Sequence, residues 1–228
     1  MKKIILISGA SSGLGKAMAK ELGDDYEVVI FGYQADELQQ TAEEIGCDYE
    51  IADVTDYQAI EKLVRSVIDK KGRVDCLINN AGVYLRGELE ENEPAAIQRT
   101  IEVNIIGAMF CSRAVIPYMK KQKNGLIINV VSQDGFYAKL ERSVYAASKW
   151  AMAGFTKCLQ IDLAKHGIRV SGLYPGRMKT KLFEAAGIKE EDFSDALESA
   201  EVVKAVRFIL EVDNHILIPE IGIKHIDN

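Results

Sequence analysis

At 228 residues the chain is long enough for one large domain and has no Pro- or Ser-rich divider, so a single domain over residues 1–228 is expected. Apolar residues make up 48% of it, enough for a substantial core, and a formal charge of -6 argues against a nucleic-acid or anionic-membrane partner. Cys47, Cys76, Cys111 and Cys158 are scattered singly with no C-x-x-C pair, so reduced thiols are expected, with no disulfide framework and no metal site.

The chain begins Met1-Lys2-Lys3 and then Ile4 to Ile7, an apolar run that stops at Ser8-Gly9, short of the roughly 7–15 residues of a secretory signal. It reads instead as a first strand. No later segment holds the roughly 20 unbroken apolar residues of a membrane span, so a soluble, cytoplasmic protein is the expectation.

From there, short β-branched runs alternate with stretches of helical period, which predicts an α/β fold: a doubly wound parallel sheet of about seven strands with helices on both faces. The strands are expected near Lys3–Ser8, Val28–Phe31, Tyr49–Ile51, Cys76–Asn79, Leu126–Val131, Val170–Tyr174 and Ile216–Ile218. Thr55-Asp56-Tyr57-Gln58 has capping-box spacing, Pro94 suits a first helical position, and Gly46, Gly72 and Gly167 stand where helices end in left-handed turns. One long helix is expected from Pro94 to about Pro117 and another from Ser143 to about His166. The stretch Tyr145 to Leu159 is small or apolar around most of its circumference, so one side should lie on the sheet. The other, through Ala147, Ala151 and Gly154, is a candidate subunit interface.

Two local patterns carry chemistry. Gly9-Ala10-Ser11-Ser12-Gly13-Leu14-Gly15 lies between the first strand and first helix, where glycines allow a tight turn and let a pyrophosphate approach the backbone at the helix N-terminus. Tyr145-Ala146-Ala147-Ser148-Lys149 places a phenol and an ammonium four residues apart, hence on one helix face. A nearby cation favours the phenolate and moves the group towards the range useful for acid/base work. Around them, Asn79-Asn80-Ala81-Gly82 follows the fourth strand, Asn104 lies mid-helix, Ser132 ends the fifth strand, and Pro175-Gly176 ends the sixth with Thr180 beyond. These are the strand ends that border a ligand crevice in a doubly wound sheet.

Taken together these motifs resemble the single-domain short-chain dehydrogenase/reductase family over essentially the whole chain, with its Rossmann-type fold. The resemblance implies an enzyme that interconverts a secondary alcohol and a carbonyl with NADP or NAD. Ser132 would hold the substrate oxygen, Tyr145 would give or take the proton, Lys149 would bind the nicotinamide ribose and lower the tyrosine pKa, and Asn104 would support a water relay to Lys149. The cofactor would run along Gly9, Ser11, Ser12, Gly13, Leu14 and Gly15, with its adenine end by Tyr33, Asp53 and Val54. Its ribose would pass Asn80, Ala81 and Gly82, Tyr145 and Lys149, and its carboxamide would reach Pro175, Gly176, Met178 and Thr180. A homodimer or homotetramer is the implied assembly. The ending Pro219-Glu220-Ile221-Gly222-Ile223 looks like the branch that includes hydroxy-acid and serine-type dehydrogenases.

Some alternatives stay open. At the end of the second strand, Phe31-Gly32-Tyr33-Gln34 has neither the acid that bonds the ribose of NAD nor the arginine that receives the phosphate of NADP, and the missing carboxylate leans slightly to NADP. Arg142 and Arg177 both edge the expected pocket and suit a carboxylate or phosphate, against the plainer reading of two solvated arginines. A small carbonyl or alcohol is the expected substrate, facing the loops Tyr84–Arg86, Gln133–Arg142 and Arg177–Ser199. The competing class is a nucleotide-binding regulator without turnover, for which Ser132 and Tyr145 would be superfluous.

Overall fold

The computed structural model describes residues 2–186 and 193–227. Seven parallel strands form one sheet in the order β3-β2-β1-β4-β5-β6-β7. They are β1 (Ile4–Ser8), β2 (Glu27–Gly32), β3 (Asp48–Ile51), β4 (Cys76–Asn79), β5 (Gly125–Val130), β6 (Ile168–Pro175) and β7 (Glu220–Ile223). Pleating sends alternate residues to opposite faces. Ile5 and Ile7 join Met18, Leu22 and Val206 in one core, while Ile4 and Leu6 join Ile60, Val64 and Val115 in the other. Helices α1 (Gly13–Leu22), α2 (Ala35–Ile45) and α8 (Ser199–Glu211) cover the first face. Helices α3 (Tyr57–Lys71), α5 (Gly107–Gln122) and α6 (Ser143–Ala164) cover the second. Buried on both sides, the central strands are mostly apolar on both faces.

Three expectations need correction. The last strand is Glu220–Ile223, not Ile216–Ile218. Pro219 has no N–H for the ladder, so pairing begins with its carbonyl, which accepts from Gly172 N at 3.0 Å, and the chain joins β6 only beyond it. The helix that starts at Pro94 does not stop at Pro117: α4 (Pro94–Ile101) widens into a π turn over Glu102–Ile106, then continues as α5 with Pro117 inside it. Finally, Asp56 alone caps α3, accepting from Gln58 N and Ala59 N, while Thr55 bonds Asp53 instead.

The stretch Pro94–Gln122 has the length and mean hydropathy, 1.2, of a membrane span, but 56% of its apolar window is buried inside the fold, as befits a core helix. Gly46, Gly72 and Gly167 adopt φ of 74°, 81° and 71°, the left-handed helix ends expected of them.

The chain reverses its winding between β1 and β4, and a crevice opens there at the C-terminal strand ends.

Candidate active site

At that crevice lies a cavity of about 650 Å³, within the range typical of ligand sites. Its wall carries nearly every residue singled out above: Gly9 to Leu14 in part, Tyr33, Asp53, Val54, Asn80 to Gly82, Ser132, Tyr145, Lys149 and the run from Pro175 to Thr180 in part. Gly15 and Asn104 stand behind the wall as supports. A Cβ at Gly15 would lie 2.4 Å from Gly9 O and 2.6 Å from Asn80 Nδ2, so only glycine lets α1 pack this closely on the turn.

The glycine turn is held from outside by hydrogen bonds. Ser8 Oγ accepts from Asn80 N (2.9 Å) and Ala81 N (3.0 Å), and Asn80 Nδ2 donates to Ser8 O (2.9 Å) and Gly9 O (3.0 Å). Gly9, at φ +62°, passes so near Ala81 that a Cβ would sit 2.7 Å from Ala81 Cα. Beyond it the Ser12 side chain caps none of the first amides of α1, which leaves those donors to an anion. A bare backbone turn, uncapped amides and a long cavity together fit the pyrophosphate of a dinucleotide. At the Tyr33 end of the cavity Arg99, which the motifs did not single out, donates to Asp53 Oδ2 (2.9 Å) and Thr55 Oγ1 (3.0 Å) and lies over the Tyr33 ring.

The other end holds Tyr145 and Lys149. Helix α6 begins at Ser143, so Tyr145 and Lys149 project from its first two turns into the cavity, 7% and 5% exposed. Lys149 Nζ donates to Val130 O at 3.0 Å and stands 5.6 Å from the Tyr145 ring centre. Asn104 sits in the π turn, where it bonds Val83 N and O (2.8 and 2.9 Å) and Ser148 Oγ (3.0 Å) and so ties α6 to the loop after β4. Ser132 adopts φ +119° and ψ 155°, a region almost confined to glycine, at a strain of about 1–3 kcal/mol. Such an outlier on a cavity wall points to a functional constraint on its hydroxyl.

Electrostatics here differ from the simple expectation that Lys149 depresses the phenol pKa. Burial pushes Tyr145 well above its ordinary value and the Asp134 carboxylate adds to this, while the Ser132 hydroxyl and Arg142 work the other way. Burial pulls Lys149 down to about 8, with Asp134 opposing. Desolvation outweighs the pairing of the two groups.

Tyr84, from the loop after β4, packs edge-on against both Tyr145 (4.8 Å between centres) and Phe183 (4.9 Å) of the short helix α7 (Lys181–Ala185). Both arginines expected at the pocket line it, but each already faces a carboxylate: Arg142 pairs with Asp134 at 3.1 Å and Arg177 with Asp195 at 3.3 Å. Part of the loop Arg177–Ser199 lies outside the described residues. Among the described residues no group of three or more His, Cys, Asp or Glu could hold a metal ion.

A glycine turn at the switch point of a parallel sheet, with a phenol and an ammonium on one helix beside it, defines the class of nucleotide-dependent oxidoreductases. The family model for short chain dehydrogenases matches residues 3–191, and the chain belongs to that family, whose members act on CH–OH groups with a nicotinamide cofactor. It is 31% identical over 226 residues to an uncharacterised oxidoreductase of Staphylococcus epidermidis, covering 98% of this chain and 97% of that one. It is 35% identical over 200 residues to the trans-4-hydroxycyclohexanecarboxylate dehydrogenase of Sinomonas cyclohexanicum, covering 82% of this chain and 76% of the relative. Among solved structures, the closed form of a serine dehydrogenase complexed with NADP+ superposes with a TM-score of 0.93 at 25% identity, over 99% of this chain and 96% of that one.

Proposed function

We propose that the chain works as one domain that interconverts a secondary hydroxy acid and its oxo acid, with Tyr145 as general acid/base and NADP as the preferred cofactor. The observation that carries the mechanism is the buried Tyr145 phenol on the cavity wall, beside Ser132 and the Lys149 ammonium. Oxidation of the alcohol removes a hydride and a hydroxyl proton, giving the carbonyl, the reduced cofactor and one proton. A bound nicotinamide supplies the hydride acceptor or donor, which leaves the protein to orient the substrate and move that proton. Ser132 holds the substrate oxygen and supports negative charge on it, Tyr145 takes or gives the proton, Lys149 grips the ribose, and Asn104 keeps the helix and the loop after β4 in register.

Charge supports an acidic substrate. Around the phenol end the cavity is lined by Lys139, Arg142, Arg177 and Lys181 against the carboxylates of Asp134 and Asp195. The two arginines are balanced by those acids, so the lysines supply the surplus. Two of the similar proteins act on a hydroxylated carboxylate and on serine by their names, and both substrates carry a carboxylate. For the cofactor, Glu37 on the wall works against a phosphate and Arg99 for it, and the NADP+ of the serine dehydrogenase structure favours NADP.

The test is to follow NADPH and NADH oxidation against sugars, oxo acids, ketosteroids and aldehydes. Oxo acids should be reduced fastest, with NADPH bound more tightly than NADH. NADH bound at least about tenfold more tightly, a difference of about 1.4 kcal/mol, would sink the cofactor preference. Cofactor binding without turnover of any carbonyl would favour the silent regulator.

A cytoplasmic homodimer or homotetramer completes the proposal. Ala147, Trp150, Ala151 and Gly154 form an exposed face of α6, and a Cβ on Gly154 would meet no atom within 4 Å, so a second helix has room to approach closely. Light scattering at micromolar concentration should give a dimer or tetramer; a monomer's mass would refute this use of α6.

A further inference from the structure

We infer that Tyr84 is a specificity-determining residue: its ring is a fixed wall beside the Tyr145 phenol that admits a methyl-sized group on the reacting carbon and rejects an aryl group. The inference rests on the reading of Tyr145 as the group that meets the carbonyl, and adds a limit on substrate size that the reading does not contain.

Tyr84 opens the loop that follows Asn80-Ala81-Gly82-Val83. Its side chain lines the cavity yet is only 6% exposed, because neighbours grip it on three sides. Tyr145 packs edge-on against it with 4.8 Å between ring centres, and Phe183 does the same at 4.9 Å. The Arg142 guanidinium lies over its face, 5.5 Å from the ring centre, and is itself held by Asp134 at 3.1 Å. Edge-to-face rings and a cation over a ring each stabilise beyond the area they bury, so turning the ring aside forfeits several contacts at once.

The chain on either side is pinned as well. Before the ring, Asn104 bonds both the N and the O of Val83, at 2.8 and 2.9 Å. After it, Gly87 N donates to Glu141 O at 2.9 Å and Arg86 Nε to the Glu141 carboxylate at 2.7 Å. Glu141 and Arg142 are neighbours, so one loop holds both the backbone beyond Tyr84 and the face of its ring. A side chain fixed at both levels does not retreat from a bulky substrate, and a close-packed wall resists even small intrusions.

A carbonyl that reaches Ser132 and Tyr145 sets a substituent against whatever stands beside the phenol, and Tyr84 stands there. The cavity of about 650 Å³ must also take a dinucleotide, which is larger than the ligands that such volumes usually hold, so little room is left for substrate. A methyl group fits against an aromatic wall, whereas a phenyl ring has to displace it, and a clash of that kind is a strong means of discrimination.

Two pairs of compounds differ only in methyl against phenyl on the reacting carbon: pyruvate with phenylglyoxylate, and their neutral methyl esters. With saturating reduced cofactor, the wild type should reduce the methyl member with kcat/KM at least about tenfold above the phenyl member, the scale on which pockets sort substrates by size. Tyr84→Ala should shift that ratio at least about tenfold towards phenyl, mainly by lowering KM for the phenyl compound. The methyl and phenyl ketones differ in intrinsic reactivity, which cancels when one ratio is compared between two proteins. Tyr84→Phe keeps the ring and should keep the ratio. A thermal melt reports folding, and Tyr84→Leu supplies the same readout if the Ala variant unfolds. A smaller preference in the wild type, or a smaller shift in the folded variant, overturns the inference; so does turnover of none of the four, since the methyl compounds are those the wall admits. Reduction of the esters alone overturns the hydroxy-acid reading and leaves Tyr84 judged on the esters. A Tyr145→Phe enzyme that keeps its rate sinks the reading of the phenol, a result distinct from the Tyr84→Ala ratio.

Discussion

Replacing Tyr145 with Phe should lower kcat by about 10²–10⁴-fold, the usual contribution of a positioned acid/base, while cofactor affinity stays near wild type. The substitution deletes one hydroxyl and keeps the ring, so the edge-on contact with Tyr84 at 4.8 Å survives. Burial and Asp134 keep the phenol protonated through neutral pH in the free protein, so the carbonyl-reducing direction finds its proton already in place. The alcohol-oxidising direction must first lose that proton, so its rate should climb with pH across the alkaline range where reduction is still flat. Steady-state kinetics in both directions, with cofactor titrated by fluorescence, check the two statements together. A Tyr145→Phe enzyme that binds cofactor normally and keeps more than about a tenth of kcat would place the proton donor elsewhere.

Features encoded by local sequence are legible in the sequence itself. Strands β1, β4 and β5 are apolar runs because both faces are buried, and the glycine turn and the Tyr145/Lys149 spacing each lie within a few residues. The exceptions share a different cause. Ile216-Leu217-Ile218 has the composition of a strand, yet Ile216 and Leu217 are 40% and 39% exposed and Pro219 delays pairing, while the true edge strand is a weak pattern broken by Gly222. Pro117 passes inside a helix because tertiary packing outweighs its local cost. In the site, Arg99 meets Asp53 across 46 residues and Arg142 meets Asp134 across 8, pairings set by how loops come together and by no periodic signal. The phenol's raised pKa likewise reflects burial, which spacing on one helix does not report.

Lys149→Met should give a protein that is more stable without cofactor, yet binds cofactor poorly and turns over at least about 10²-fold more slowly. Lys149 is 5% exposed, with Val130 O as the hydrogen-bond acceptor of its ammonium, and burial draws its pKa from 10.5 down to about 8. A basic group with a lowered folded pKa binds its proton less tightly than in the unfolded chain, so carrying the charge costs stability. That cost is fully present below about pH 8 and fades as pH rises towards 10.5, where the unfolded chain loses the proton too. Removing the charge should therefore gain on the order of 2 kcal/mol at pH 7, with the gain shrinking by pH 10. The same titration should weaken cofactor binding to the wild type as pH climbs through 8, when a neutral amine replaces the ammonium proposed to grip the ribose. Melting of the cofactor-free proteins at the two pH values, beside fluorescence titration of cofactor, separates the effects. A Met variant no more stable than wild type at pH 7 would show that Val130 and the cavity solvate the charge adequately, and that Lys149 is held in place without the stability cost argued here.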